Sequence, residues 1–250
     1  MFVVNAFRLF CTALSFLTRI PTPFWEKSFA DCFAAFPAVG FLVGCVTFAT
    51  FWTASLFFSP FLGAGIAVAF QVWFTRGLHL DGLADWVDAL GGGYTKEKRL
   101  EILKDSRVGA FGVMALIVVL GLKTLALCNF AGGGYSAVVV SAVMGRLAMV
   151  LCAVNMRSAR LEEGLGATFL KGFRGKTAVF AFASTLPLFV IAPVGFAVSL
   201  ILTLALVVVF RWNFVKKFGG ITGDLFGAAS EITETAVLIL CVGLIRHGIW

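Results

Sequence analysis

Three aspartates, Asp81, Asp85 and Asp88, stand within the stretch His79-Leu80-Asp81-Gly82-Leu83-Ala84-Asp85-Trp86-Val87-Asp88. At about 100° per residue their carboxylates fall within about 60° of one another on a single helix face. Like charges on one stripe repel, and no Lys or Arg lies between Leu78 and Tyr94 to balance them. A solvated helix face would carry such a balance; a bound cation would supply it. Mg²⁺ is a hard cation that takes one or two carboxylates and completes its shell with water and substrate phosphates. The stripe therefore predicts a Mg²⁺ site at Asp81, Asp85 and Asp88.

Two further groups lie where such a site could use them. Lys104-Asp105-Ser106-Arg107-Val108-Gly109 precedes an apolar run that begins at Phe111. Lys104 and Arg107 could clamp pyrophosphate oxygens, Arg in bidentate fashion, although any cation at a span end also serves as an anchor. Gly219-Gly220-Ile221-Thr222-Gly223-Asp224 leads into Gly227, Glu231 and Glu234. Asp224 and Glu231 are seven apart and share a face, so either could complete the metal site or act as a base. The segment echoes the first, with an Asp beside glycine and another acid seven residues on. Acids inside an apolar run are expensive and face a polar cavity; Arg146, isolated within a span, is expected to face the site rather than lipid, and Lys123, also mid-span, to snorkel or pair internally. The stretch Glu162-Glu163-Gly164-Leu165-Gly166-Ala167-Thr168-Phe169 could wrap a ligand. With His79 and His247 alone there is no His-rich metal site, and no Ser-His-Asp grouping, Walker loop or G-x-G-x-x-G opening a helix is present.

The elements that must position these residues are membrane spans. Of 250 residues 60% are hydrophobic and only 13% charged, against about a quarter charged in soluble domains. Seven apolar stretches, roughly 36–58, 62–75, 111–130, 136–154, 178–191, 196–210 and 225–245, predict an all-α polytopic bundle of about seven spans, within a range of six to eight. The second is short for a span and must extend toward His79 or be re-entrant. Pro187, Pro193 and Gly195 make 178–210 a helical pair or one kinked helix.

The loops 76–110, 155–177 and 211–223 hold six, five and three Lys/Arg, and the alternate connections hold none. That is the positive-inside pattern, and it puts the charged loops in the cytoplasm. Arg8, Arg19 and Lys27 place the N-terminus there too. Residues 1–23 read as an amphipathic helix lying at the interface or covering the bundle mouth, ended by Pro21 and Pro23. No cleaved signal is expected. The whole, 1–250, is one integral membrane domain, with 76–110 its acidic and basic cytoplasmic motif loop. Six scattered cysteines without C-x-x-C predict neither a disulfide nor zinc. The net charge of +7 comes without a basic tract interleaved with aromatics, so nucleic acid is not an expected partner. Anionic lipid and phosphate-bearing substrates are.

These motifs together resemble the cobalamin synthase family, the adenosylcobinamide-GDP ribazoletransferases. The resemblance rests on Phe16-Leu17-Thr18-Arg19-Ile20-Pro21, on His79 to Asp85 with Asp88, and on Arg99-Leu100-Glu101-Ile102-Leu103-Lys104-Asp105-Ser106-Arg107-Val108-Gly109. Gly164-Leu165-Gly166 and Thr222-Gly223-Asp224 complete it, all in the family's order and over almost the whole chain. One departure is Ala89, where the family often has glycine directly after the third Asp. The resemblance implies Mg²⁺-dependent transfer of cobinamide phosphate from adenosylcobinamide-GDP to α-ribazole or its phosphate, with release of GMP, at the inner (cytoplasmic) membrane. It implies metal ligation by Asp81, Asp85 and Asp88 and catalytic roles for Lys104, Arg107, Asp224 and Glu231. Substrate binding would fall to Arg19, His79, Asp105, Ser106, Arg146, Gly164 and Gly166. A homo-oligomer, or association with other enzymes of the pathway, is left open.

Two rivals come from other classes. A CDP-alcohol phosphotransferase would need arginine where Asp85 follows Ala84. A cation-coupled transporter would use the intramembrane charges Lys123, Arg146, Glu231 and Glu234 near the midplane, whereas the richest cluster here lies at span ends beside basic loops.

Overall fold

The computed structural model describes residues 2–23, 31–131, 133–160 and 165–250. Its elements are α1 (Phe2–Leu17), α2 (Phe36–Ser55), α3 (Pro60–Phe74), α4 (Leu78–Gly92), α5 (Lys96–Ile102), α6 (Ala110–Leu127), α7 (Ser136–Ala153), α8 (Leu165–Gly172), α9 (Gly175–Ala183), α10 (Pro187–Ile191), α11 (Pro193–Phe218) and α12 (Gly223–Arg246). Among the described residues there is no β-strand, only an isolated parallel bridge between Ser158 and Ile221.

Among the described residues five helical segments are long and apolar enough to cross a bilayer: Asp31–Ser55, Ala110–Phe130, Ser136–Ala153, Pro193–Phe218 and Gly223–Arg246. The bent pair α3 and α4 would make a sixth. Six falls within the expected range and about seven is not confirmed, since Gly175–Ile191 is apolar but shorter than a full crossing and is interrupted within. Pro187 has no N–H to continue the ladder, and the hydroxyls of Ser184 and Thr185 turn back onto the carbonyls of Ala181 and Phe182. The result is two short pieces, α9 and α10.

The bundle is built around α7, nearly all of which is buried. Helices in lipid gain little from apolar burial, so small residues that let backbones approach do the packing. A Cβ on Gly44 of α2 would lie 2.6 Å from the Val139 Cα of α7. The second half of α1 is buried too: Leu14 and Leu17 join the core formed by Phe33 and Phe36, with Phe16 packed against it. Cys11, Thr12 and Ala13 of the same helix are buried as well.

The short second stretch proves to be half of a broken element. α3 and α4 meet at 90° because Arg76 (φ 59°) and Gly77 (φ 64°) are both left-handed. Gly77 adopts that region at no steric cost; Arg76 does not. Arg19 offsets the strain: its Nε donates to the Trp73 carbonyl, its backbone N–H donates to Phe74 (2.9 Å), and its guanidinium lies over the Trp73 ring. The region 76–110 is therefore mostly helix, α4 and α5, rather than loop.

Candidate active site

α4 crosses α12 at two glycines that face each other's backbone. A Cβ on Gly82 would sit 2.5 Å from the Asp224 carbonyl oxygen, and one on Gly227 would sit 3.0 Å from the His79 Cα. This approach sets Asp81 of α4 and Asp224 of α12 on the wall of one cavity of about 80 Å³. His79, Phe16, Met149 and Phe169 line it as well.

Asp224 occupies the first turn of α12, where the helix dipole favours an anion. The Thr222 hydroxyl caps that helix by accepting from the Leu225 N–H and lies 3.2 Å from Asp224 Oδ2. Asp85 is half-buried, and the charges that act on it are Asp81, Asp224 and Asp88, opposed by Arg160. His79 is buried, and neither ring nitrogen has a hydrogen-bond partner among the described residues.

Asp88 is placed differently from its two neighbours. It is buried, and its oxygens accept the Gly109 N–H (2.7 Å) and the Gly112 N–H (2.8 Å). Amides at the start of a helix have no partner within it, so Asp88 caps α6. The expected three-carboxylate stripe accordingly divides, with Asp81 and Asp85 on the open side and Asp88 turned to a helix end. Among the described residues no three Asp, Glu, His or Cys side chains form a ready metal cage. Mg²⁺ does not need one, since a carboxylate or two and substrate phosphates suffice. Asp81 and Asp224 on one wall, with Asp85 beside them, are hard oxygen donors that fit it.

The loop 103–109 borders this region at both ends, through the Leu103 carbonyl, which accepts from Arg160 (3.0 Å), and through the Gly109–Asp88 bond. Lys104 and Ser106 are exposed. Arg107 is 86% exposed and paired with Asp105, two residues away, at 2.7 Å. Those bonds draw the Asp105 carboxyl down to about 2 and raise the guanidinium above its ordinary value. The Arg107 fork thus faces its own loop rather than the cavity wall.

The remaining expected residues scatter. Arg19 caps α3, as described above. Gly164 lies outside the described residues, and Gly166 falls in the first turn of α8, the helix that supplies Phe169 to the cavity. Glu231 and Arg146 belong to a buried network. Lys123 Nζ lies 2.6 Å from Glu231 and 2.9 Å from Glu234, Gln71 donates to Glu234 (2.7 Å), and Arg146 pairs with the other Glu234 oxygen. All four charged side chains are 6% exposed or less. Two cations cancel two anions, and α3, α6, α7 and α12 are tied together.

One residue near the acids had no signal of its own in the sequence. Arg160, from a loop whose five cations are all explained as anchors, places Nη2 at 3.7 Å from Asp224 Oδ2. Several other cations of the basic segments also cap helix ends, where C-termini favour positive charge. Arg99 donates to Lys217, Arg157 to Gly219, and Arg211 to Leu151, Cys152 and Val154.

Fold and site together define an all-helical, multi-pass membrane protein with an acidic pocket where helix ends meet basic loops. The chain belongs to the cobalamin-5-phosphate synthase family, whose profile matches residues 9–242. It is similar to proteins named adenosylcobinamide-GDP ribazoletransferase. The one from Syntrophobacter fumaroxidans is 39% identical over 92% of this chain and 96% of that protein. The Chlorobaculum tepidum protein is 36% identical over 96% of each chain. The Roseiflexus sp. protein is 35% identical over 90% of this chain and 86% of its own length. No solved structure matches it.

Proposed function

We propose that this chain is an adenosylcobinamide-GDP ribazoletransferase: it moves cobinamide phosphate from the GDP-activated form onto α-ribazole or α-ribazole 5′-phosphate and releases GMP. The observation that carries the reading is the meeting of Asp81 and Asp224 at one cavity beside the basic loops, in a chain of this family. A ribose hydroxyl of the acceptor attacks the phosphorus attached to cobinamide, the bond to the GMP oxygen breaks, and the hydroxyl proton is lost to a carboxylate. Such a displacement depends on charge neutralisation and in-line positioning more than on covalent catalysis.

Asp81 and Asp85, with Asp224, are the residues that would hold Mg²⁺, which when bound neutralises pyrophosphate charge. Asp224, on the cavity wall, would alternatively serve as the base for the hydroxyl proton, the metal then resting on Asp81 and Asp85. Glu231, neutralised by Lys123 beneath the cavity, holds α12 in register. Lys104 and Arg107 lie on the exposed border loop, where they meet the leaving GMP at the solvent edge. The positive-inside preference supports a cytoplasmic orientation of this face at an inner membrane, the side on which its soluble substrates would lie.

The test is product analysis with purified protein, Mg²⁺, adenosylcobinamide-GDP and α-ribazole 5′-phosphate. Stoichiometric GMP and a cobalamin 5′-phosphate are expected; GMP without a cobalamin would overturn the transfer.

A further inference from the structure

We propose that Arg160 is a phosphate-binding residue of the pocket, taking oxygens of the substrate pyrophosphate opposite Asp81, Asp85 and Asp224. The proposal rests on the function proposed above and names a residue that reading does not require.

The backbone holds Arg160 in place before its side chain is considered. Ile221 N–H donates to the Arg157 carbonyl (3.0 Å) and Ala159 N–H donates to the Ile221 carbonyl (3.0 Å), the parallel bridge that pins 157–160 to the segment leading into Asp224. Ser158 tightens the loop further, its hydroxyl donating to the Arg160 carbonyl (2.6 Å) and accepting the Arg160 N–H (3.3 Å). The side chain is then led between the border loop and α12. Nη2 donates to the Leu103 carbonyl at 3.0 Å.

A guanidinium offers five N–H groups in a planar fork. Among the described residues one satisfied bond, to Leu103, accounts for a single donor. The Asp224 contact at 3.7 Å is an ion pair too long for a hydrogen bond. Nε is sealed from solvent and has no partner among the described residues, in a side chain only 21% exposed. A merely anchoring cation would extend to lipid headgroups or water. This one is retained beside Asp224, with an Nε donor that has no partner among the described residues.

Electrostatics points the same way. Among the described residues, the charges acting on Asp85 are the acids Asp81, Asp224 and Asp88, opposed by the cation Arg160. Carboxylates on one side and a forked cation on the other make a site for an anion that also carries a metal. A diphosphate meets both demands, bridging Mg²⁺ with some oxygens and accepting bidentate N–H bonds with others. The exposed Arg107, already matched by Asp105, has no such geometry.

The experiment uses the full chain in detergent and Mg·GDP as the probe, with binding measured by calorimetry. Arg160→Lys keeps the charge and loses the fork, and is expected to weaken Mg·GDP binding about ten-fold or more. Lys98→Arg, on the exposed α5 surface, is expected to bind as wild type does. A folded Arg160→Lys protein with wild-type affinity overturns the proposal, as does a wild-type protein that does not bind Mg·GDP.

A second measurement needs no variant. Phenylglyoxal labelling followed by mass spectrometry should find Arg160 protected by Mg·GDP and the exposed Arg174 unprotected. Equal labelling of Arg160 with and without Mg·GDP overturns the proposal. Wild-type turnover combined with unprotected Arg160 removes Arg160 alone. Failure of the wild type to form a cobalamin removes the function on which it rests.

Discussion

Gly82 lies against the backbone of Asp224, so that a methyl group on Gly82 would fall 2.5 Å from the Asp224 carbonyl oxygen. The contact fixes the separation of the two helices that carry the acidic pair. Gly82→Ala is expected to push α4 from α12 at a cost of about 1–3 kcal/mol and to lower kcat at least ten-fold. Gly243→Ala, where a Cβ meets nothing within 4 Å, should leave turnover unchanged and add up to about 0.5–1 kcal/mol of stability. Thermal unfolding and steady-state kinetics on the two proteins check both statements.

Asp81→Asn and Asp85→Asn are expected to abolish turnover with little loss of folded protein. EDTA should silence the wild type, and Mg²⁺ should restore it. Removing one charge from a repelling set also predicts equal or higher stability of both variants in EDTA. Activity in EDTA, or full activity in both variants, would remove the metal from the site.

Asp88→Ala is expected to behave otherwise. It strips the cap from α6 and leaves the Gly109 and Gly112 amides without their acceptor, which costs about 1.5–3 kcal/mol for each charge-assisted bond. The signature is a lower unfolding temperature at every Mg²⁺ concentration, whereas a ligand variant differs from wild type chiefly when Mg²⁺ is present. An Asp88→Ala protein as stable as wild type would return Asp88 to the metal.

This division of the aspartates shows where sequence reasoning stops. The 3.6-residue period puts Asp81, Asp85 and Asp88 near one face, and that much is correct. Whether a given oxygen faces a cavity or a helix end depends on what packs there, and Gly109 and Gly112 arrive from 21 and 24 residues away. The same holds for Glu231, where an acid in an apolar run demands a polar neighbour but does not name Lys123, 108 residues distant. Arg160 was hidden for a different reason: the positive-inside preference already accounts for every cation in its loop. The helical bundle and its five longest crossings follow from hydropathy. The break at 184–187 does not, because windowed hydropathy averages Ser184, Thr185 and Pro187 with the apolar residues on either side.

Lys123→Met should cost about 3–5 kcal/mol by leaving Glu231 and Glu234 buried with one cation fewer. Adding Glu231→Gln removes the orphaned charge and is expected to recover much of the loss. If Glu231 acts only by holding α12, the double variant regains measurable turnover. A stable but inactive double variant would instead put Glu231 in the chemistry. Denaturant titration together with the cobalamin assay separates these outcomes.

Reporter tags inserted after Lys98, Arg174 and Lys217 are expected on the cytoplasmic side, and tags after Ser59 and Gly133 outside. A protease-protection assay on intact and inverted vesicles reads each one. An external tag at Lys98 would separate the acidic pocket from its soluble substrates.

The buried quartet also bears on how the protein is made. Its two cations, Lys123 and Arg146, belong to α6 and α7, and both anions, Glu231 and Glu234, belong to α12, the last helix in the described chain. Synthesis therefore commits two positive side chains to the bilayer seconds before their partners exist. During that interval Lys123 and Arg146 lack the carboxylates that neutralise them, so a chain that ends before residue 231 bears the full cost of two intramembrane cations. α12 thus closes the site and also releases the nascent bundle into lipid.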